Sequence, residues 1–291
     1  MYNVTIFGIH LKINPIAFTI PLGDGWDIYW YGIIIATGFL LAIIFAYKNA
    51  KRFNINVDKM LDAILVTTPV SILCARSYYL IFDGEPLESF SDFFGFSNGS
   101  GFSGLAIYGG VIGAFVCGGI MCRVLKIKIL DMFDLTALGF LIGQGIGRWG
   151  NFVNQEAYGT FTGSTFFGMT SENTVSELGE GLVHPCFLYE SIWCLLGFFI
   201  INKLSKKRKF SGETVLMYGV WYGFERTFLE LIRTDSLMLG NIRVSSLLSA
   251  IICITCTILL IVFRKKYSEM ESEADYVPMI TKEEITKGED K

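Results

Sequence analysis

The stretch VSSLLSAIICITCTILLIVF, residues 244–263, holds no charged side chain and is followed at once by Arg264, Lys265 and Lys266. A helix crossing the hydrocarbon layer needs about 20 mostly apolar residues, so this stretch reads as a membrane span with a basic anchor at its end. Six further segments approach the same requirement: Ile28 to Tyr47, Met60 to Phe82, Leu105 to Leu125, Met132 to Trp149, Phe187 to Asn202 and Thr214 to Ile232. Composition agrees, since 52% of the 291 residues are hydrophobic and 18% are charged, against about 25% charged in soluble domains. The expected fold is an all-α polytopic membrane protein of about seven transmembrane helices.

Lys and Arg set its orientation, because cytoplasmic loops near spans are enriched in them. Lys48, Lys51, Arg52 and Lys59 follow the first span; Arg123, Lys126 and Lys128 follow the third; Lys203, Lys206, Lys207, Arg208 and Lys209 follow the fifth. The connections from Asp83 to Gly104 and from Gly150 to Pro185 hold neither residue. The expectation is an outside N-terminus and a cytoplasmic C-terminus, and only Arg233 and Arg243 break the pattern. Residues 1–266 would form one transmembrane domain, with a small extracytoplasmic cap at about 150–186, and residues 267–291 a flexible, solvated cytoplasmic tail. The first 27 residues lack a basic segment ahead of an apolar one, and no removable signal peptide is expected.

A formal net charge of −3 argues against a nucleic-acid partner. The seven cysteines read as small apolar packing residues, including the pair Cys253 and Cys256, which has no second pair or nearby histidine to complete a zinc site.

Ionisable groups at membrane depth cost about 2.5 to 3.5 kcal/mol each and tend to face a bundle interior or a polar cavity. Arg76, Arg148, Glu190, Glu225, Arg226 and Glu230 all fall in the predicted spans, with Arg226 and Glu230 four apart on one helix face. The densest polar string is GRWGNFVNQEAYG, residues 147–159. It places a guanidinium, two Asn amides and a carboxylate among glycines where the fourth span ends. The planar fork of an arginine suits a phosphate, and glycines let backbone approach a ligand. An anionic, hydroxylated, membrane-resident ligand such as a phospholipid headgroup fits these groups. No hydrolase triad, zinc-protease motif or phosphate-binding loop is recognisable.

The string at 147–159 resembles the signature G-R-x-G-N-F-x-N-x-E-x-x-G of the bacterial prolipoprotein diacylglyceryl transferase family, matching every fixed position. The resemblance extends to Trp30-Tyr31-Gly32, to Ala75 to Tyr79, to Tyr108 to Gly113, to His184 to Glu190 and to Tyr222 to Glu230. It implies an enzyme of the bacterial plasma membrane, active at the outer face, that moves the diacylglyceryl group of phosphatidylglycerol onto the lipobox cysteine of a prolipoprotein and releases glycerol phosphate. The implied partners are phosphatidylglycerol, prolipoprotein signal peptides and membrane lipids; no metal or cofactor is implied. Carried onto this chain, Arg148, Asn151, Asn154, Gly159, Tyr31 and Tyr222 would bind the lipid, and Arg148, Arg226, Glu230, Tyr108 and Glu156 would serve catalysis.

One departure concerns the thiol proton. Many members of the family carry a histidine where this chain has Tyr108. Phenols ionise near about pH 10 and thiols near about 8.5, so a neutral phenol is a poor base for a thiol, and Tyr108 is better assigned as a hydrogen-bond donor. Glu230 or Glu156 could take the proton, or the arginine field could make a strong base unnecessary. Two rival readings keep the arginines and drop the chemistry: a transporter for an anionic solute, and a non-catalytic lipid-binding subunit.

Overall fold

A computed structural model describes residues 1–21, 25–83, 93, 104–234, 238–239 and 242–275. Among them the chain runs β1 (Tyr2–Ile6), β2 (Ile9–Ile13), β3 (Ile16–Ile20), β4 (Trp26–Tyr29), α1 (Trp30–Asn49), α2 (Val57–Asp83), α3 (Ile107–Val124) and α4 (Ile129–Asn154). It continues through β5 (Met169–Ser171), α5 (Glu172–Leu178), α6 (Cys186–Ser205), α7 (Glu213–Leu229), β6 (Met238–Leu239), β7 (Ile242–Arg243) and α8 (Val244–Asp275). Each of the seven expected spans corresponds to one helix. Six of these, α1 to α4, α6 and α8, are long and apolar enough to cross a membrane; α7 has 17 residues and falls short. Their apolar side chains face outward, with Leu65 75% and Ile107 76% exposed, the arrangement a lipid solvent favours and water does not. Most of the connection from Asp83 to Gly104, part of that from Arg233 to Arg243, and the tail beyond Asp275 lie outside the described residues.

Two compact units divide the chain. The smaller, Ile44–Thr136, is built on the pairing of α2 with α3. Small residues allow that pairing, as they do generally between membrane helices: a Cβ at Gly113 would come within 2.7 Å of the Cys74 Cβ. Arg76 is buried here, donating from Nε to the Phe93 carbonyl (2.9 Å) and from Nη1 to the Gly104 carbonyl (3.2 Å). Its task is to satisfy loop carbonyls. Tyr108 opens α3 in the same unit, with its ring 6.3 Å from that of Tyr78.

The larger unit, Met1–Ile43 with Ala137–Lys291, adds strands that the all-α expectation did not include. β1 and β2 form a hairpin that turns at Phe7 and Gly8, both at positive φ (48° and 77°), the conformation a tight two-residue turn demands. β5 adds to the other edge of β1, pairing Val4 with Ser171. Val4 is thereby buried against Phe152 of α4, Phe187 of α6 and Tyr158, Met169 and Val183 of the connection between them. The connection at 150–185 is thus folded over a core it shares with the N-terminal strands. Elsewhere in the unit α7 packs on α8, where the Cys253 thiol donates to the Val220 carbonyl (3.6 Å) and a Cβ at Gly219 would meet the Cys256 sulfur. The C-x-x-C pair is a helix-packing feature, as its apolar surroundings suggest.

Candidate active site

Residues 147–159 divide at the end of α4. Gln155 adopts a left-handed conformation (φ 54°), its amide donates to the Phe152 carbonyl (3.2 Å), and the Glu156 amide donates to the Asn151 carbonyl (3.0 Å). This is the Schellman pattern that closes a helix C-terminus, with Gln in the place glycine usually holds. Its effect is to fold Glu156 back onto the last turn of α4. There one carboxylate oxygen accepts from the Asn151 amide (2.8 Å) and the Asn154 amide (3.5 Å). The two asparagines and the carboxylate of the motif therefore form one hydrogen-bonded group. Gln155 is itself buried, and its Oε1 accepts the Asn173 amide at 3.2 Å.

Glycines set what surrounds this group. On one side of α4 a Cβ at Gly150 would lie 2.7 Å from the Tyr31 ring and one at Gly147 3.1 Å from Ile35. α1 can approach α4 only because both positions are bare, and the approach lays Tyr31 beside the motif. On another side a Cβ at Gly145 would meet Leu195 of α6 at 2.9 Å. The same contact is held by Ser191, which donates to the Gly145 carbonyl (2.7 Å) and accepts from the Trp149 indole (3.1 Å). Gly159 is likewise a close-packing position, enclosed by His184, Cys186 and the Ile232 carbonyl. It bridges to Arg233 and so ties the motif to the chain that follows α7.

The central feature is Glu190 of α6, 2% exposed and shared by three arginines. Arg148 of α4 pairs with its Oε2; Arg226 of α7 lies 3.6 Å from the same oxygen; Arg233 binds the other oxygen at 3.1 Å. Arg226 also pairs with the buried Glu230 one turn on (2.7 Å), as their spacing predicts. Arg243 donates to the backbone carbonyls of Glu230 and of Arg233, the latter at 2.9 Å. Arg148 extends its second amine towards the Asn151 Oδ1 (3.4 Å), linking the network to the end of α4. Buried charges are tolerated when paired, and in this cluster Arg148, Arg226 and Arg233 each have a carboxylate partner. The Nη1 of Arg226 is buried and, beyond its 3.6 Å ion-pair contact with Glu190, makes no hydrogen bond among the described residues. An unfilled buried donor costs about 1 to 3 kcal/mol, a cost relieved by any ligand that brings an oxygen.

Of the residues singled out in the sequence, Arg148, Asn151, Asn154, Glu156, Arg226 and Glu230 fall into this polar region. Tyr31 lies against Gly150 of the motif, and Tyr222, one turn before Arg226 on α7, stacks on Tyr218 at 5.7 Å. Tyr108 belongs to the other unit. Glu190 and Arg233 join the network without having been chosen as site residues. Both carried a signal, Glu190 as a carboxylate at membrane depth and Arg233 as a break in the basic-loop pattern, but neither shows its partners until α4, α6 and α7 are brought together. His184 is a structural residue: its Nδ1 lies 3.1 Å from the Tyr189 hydroxyl and its amide donates to the Thr160 carbonyl.

A family model described as prolipoprotein diacylglyceryl transferase matches residues 15–262. Among curated proteins, a phosphatidylglycerol–prolipoprotein diacylglyceryl transferase of Pediococcus pentosaceus is 42% identical over 272 residues, covering 91% of this chain and 95% of the relative. Proteins of the same description from Limosilactobacillus reuteri (39%, covering 89% and 94%) and Clostridium novyi (40%, covering 86% and 95%) are similar over comparable lengths. The match includes every helix that contributes to the arginine network, and the chain belongs to the prolipoprotein diacylglyceryl transferase family.

Proposed function

We propose that this protein transfers the diacylglyceryl group of phosphatidylglycerol to the lipobox cysteine of a prolipoprotein, forming a thioether and releasing glycerol phosphate. The observation that carries the reading is the pair Arg148 and Arg226, held on separate helices by the shared Glu190, with an Arg226 Nη1 that makes no hydrogen bond among the described residues. The lipid phosphodiester would sit on these guanidiniums, with its glycerol hydroxyls towards the Asn151, Asn154 and Glu156 group and towards Tyr31 and Tyr222. As the thiolate attacks the glycerol carbon, the C–O bond breaks and negative charge grows on the phosphate. Donors fixed in place stabilise that charge without having to reorganise. Glu190 and Glu230 keep the arginines oriented. Gly159 acts by bringing chain segments together, and Tyr108 serves as a hydrogen-bond donor.

The protein would reside in the bacterial plasma membrane as seven spans, N-terminus outside, with the site towards the outer face. Counting α7 as a span is supported by the pairing of its charges: Arg226 with Glu230, and Glu213 at its start with Arg264 of α8 (2.5 Å). Residues 1–266 would be the transferase domain, with the folded connection at 150–186 as its outer cap and 267–291 as a cytoplasmic tail; α8 extends as helix into that tail as far as Asp275. The test is to supply the purified protein with phosphatidylglycerol and a lipobox peptide and to follow glycerol phosphate. Release in step with loss of free thiol is expected. Retention of lipid with no release, or uptake of an anionic solute into liposomes without lipid turnover, would favour a binding subunit or a transporter.

A further inference from the structure

Four carboxylates are tied to the arginine network by contact or by charge, and three of them are already engaged. Glu190 is shared by Arg148, Arg226 and Arg233; Glu230 pairs with Arg226; Glu156 accepts from two Asn amides. The fourth is Glu225. Its Oε1 is buried and accepts no hydrogen bond among the described residues. Its direction follows from α7, where positions 218, 222 and 225 fall on one helix face at spacings of four and three. Tyr218 on that face accepts from the Gln144 amide of α4 (3.0 Å) and stacks on Tyr222. Cys194 of α6 approaches the same Gln144 side chain (4.0 Å). The face therefore looks towards α4 and α6, and the flanking contacts agree: the rings of Trp221 and Phe224 stack on Trp193 of α6 (4.4 and 5.8 Å), one turn from Glu190. On α8, which packs on α7, residues 244–263 are uncharged, and Arg264 is paired with Glu213 at the opposite end of α7 from Glu225.

From this arrangement we infer that Glu225 takes the proton of the incoming thiol, an assignment that depends on the transferase reading above. A carboxylate lacking donors is a stronger proton acceptor than one that receives two or three. Protonating Glu190, Glu230 or Glu156 would break an ion pair or a hydrogen bond; protonating Glu225 breaks neither. The transfer conserves charge, moving one negative charge from a carboxylate without a partner to a sulfur in the field of two arginines. The S–H bond breaks, its electron pair stays on sulfur, and the proton goes to Glu225. Sulfur then forms the C–S bond as the C–O bond to the phosphate breaks. The departing glycerol phosphate gains a second negative charge and can take the proton from Glu225, restoring the carboxylate.

The test uses two lipobox peptides with phosphatidylglycerol, one carrying cysteine and one selenocysteine, whose selenol is already ionised at neutral pH. Loss of a general base typically costs about 10² to 10⁴ in rate. Glu225→Gln is expected to lose at least about 10²-fold on the cysteine peptide near pH 7 while staying within about threefold of wild type on the selenocysteine peptide. Glu225→Leu should show the same selectivity and guards against a folding defect, because an apolar side chain in place of a buried carboxylate without hydrogen bonds removes a desolvation cost. Equal losses on both peptides would make Glu225 structural, and no loss on either would remove it from the reaction; each overturns the inference. Failure of the wild-type protein to modify either peptide would overturn the transferase reading together with it.

Discussion

Arg148 and Glu190 form one ion pair to which the proposal gives a part in both fold and chemistry. Arg148 is 20% exposed and Glu190 2%, so the guanidinium keeps an open face, on which the proposed phosphate would sit, while its partner is sealed in the bundle. Two parallel N–H groups in a fixed fork match a phosphate in a way that an ammonium cannot. Arg148→Lys should therefore lose about 10² to 10³ in rate, nearly as much as Arg148→Ala, in an assay of thioether formation. Near-normal turnover by the lysine variant would remove the bidentate contact from the account. Glu190→Gln acts differently, because it leaves three arginines without their shared carboxylate. Removing one partner of a buried pair typically costs about 3 to 5 kcal/mol. A large fall in thermal stability in detergent is expected along with loss of transfer, and an unshifted melting temperature would contradict the hub role of Glu190.

At the scale of the element, α4 is the organising helix. Gly147 and Gly150 admit α1, Gly145 admits α6, and the left-handed Gln155 closes the helix so that Glu156 meets Asn151 and Asn154. Gly150→Val would drive a branched side chain into the Tyr31 ring. Overpacking of this kind costs about 1 to 3 kcal/mol, and the displaced ring should also weaken lipid binding. A phosphatidylglycerol titration in detergent is expected to show reduced affinity, and unchanged affinity would separate Tyr31 from the lipid site. The spans were legible in the sequence because lipid demands long apolar runs, and the motif at 147–159 marked the polar end of α4. The strands were not. β2, IHLKI, alternates apolar and polar residues, but it has five residues and its pairing depends on β1, which in turn pairs with β5 across four intervening helices in the sequence, Val4 with Ser171; such distant pairings leave no local periodicity. Glu190 was hidden for a related reason: its three partners come from α4, α7 and the turn after α7.

For the whole molecule, the distribution of basic residues provides the frame. Arg233 and Arg243, the two that break it, are occupied inside the protein, one by Glu190 and the other by the carbonyls of Glu230 and Arg233. They are structural charges and do not count against the orientation. Alkaline phosphatase fused after Ser164 should accordingly be active, and the same enzyme fused after Lys207 inactive; the reverse pattern would invert the topology and place the arginine network on the wrong side for exported substrates. The most direct test of the central claim is a mass measurement. Purified protein in detergent is incubated with phosphatidylglycerol and a lipobox peptide, and the peptide is weighed. The account predicts a diacylglyceryl adduct on the cysteine that is lost with Arg148→Ala; an unmodified peptide beside lipid that is still bound through Arg148 would contradict it.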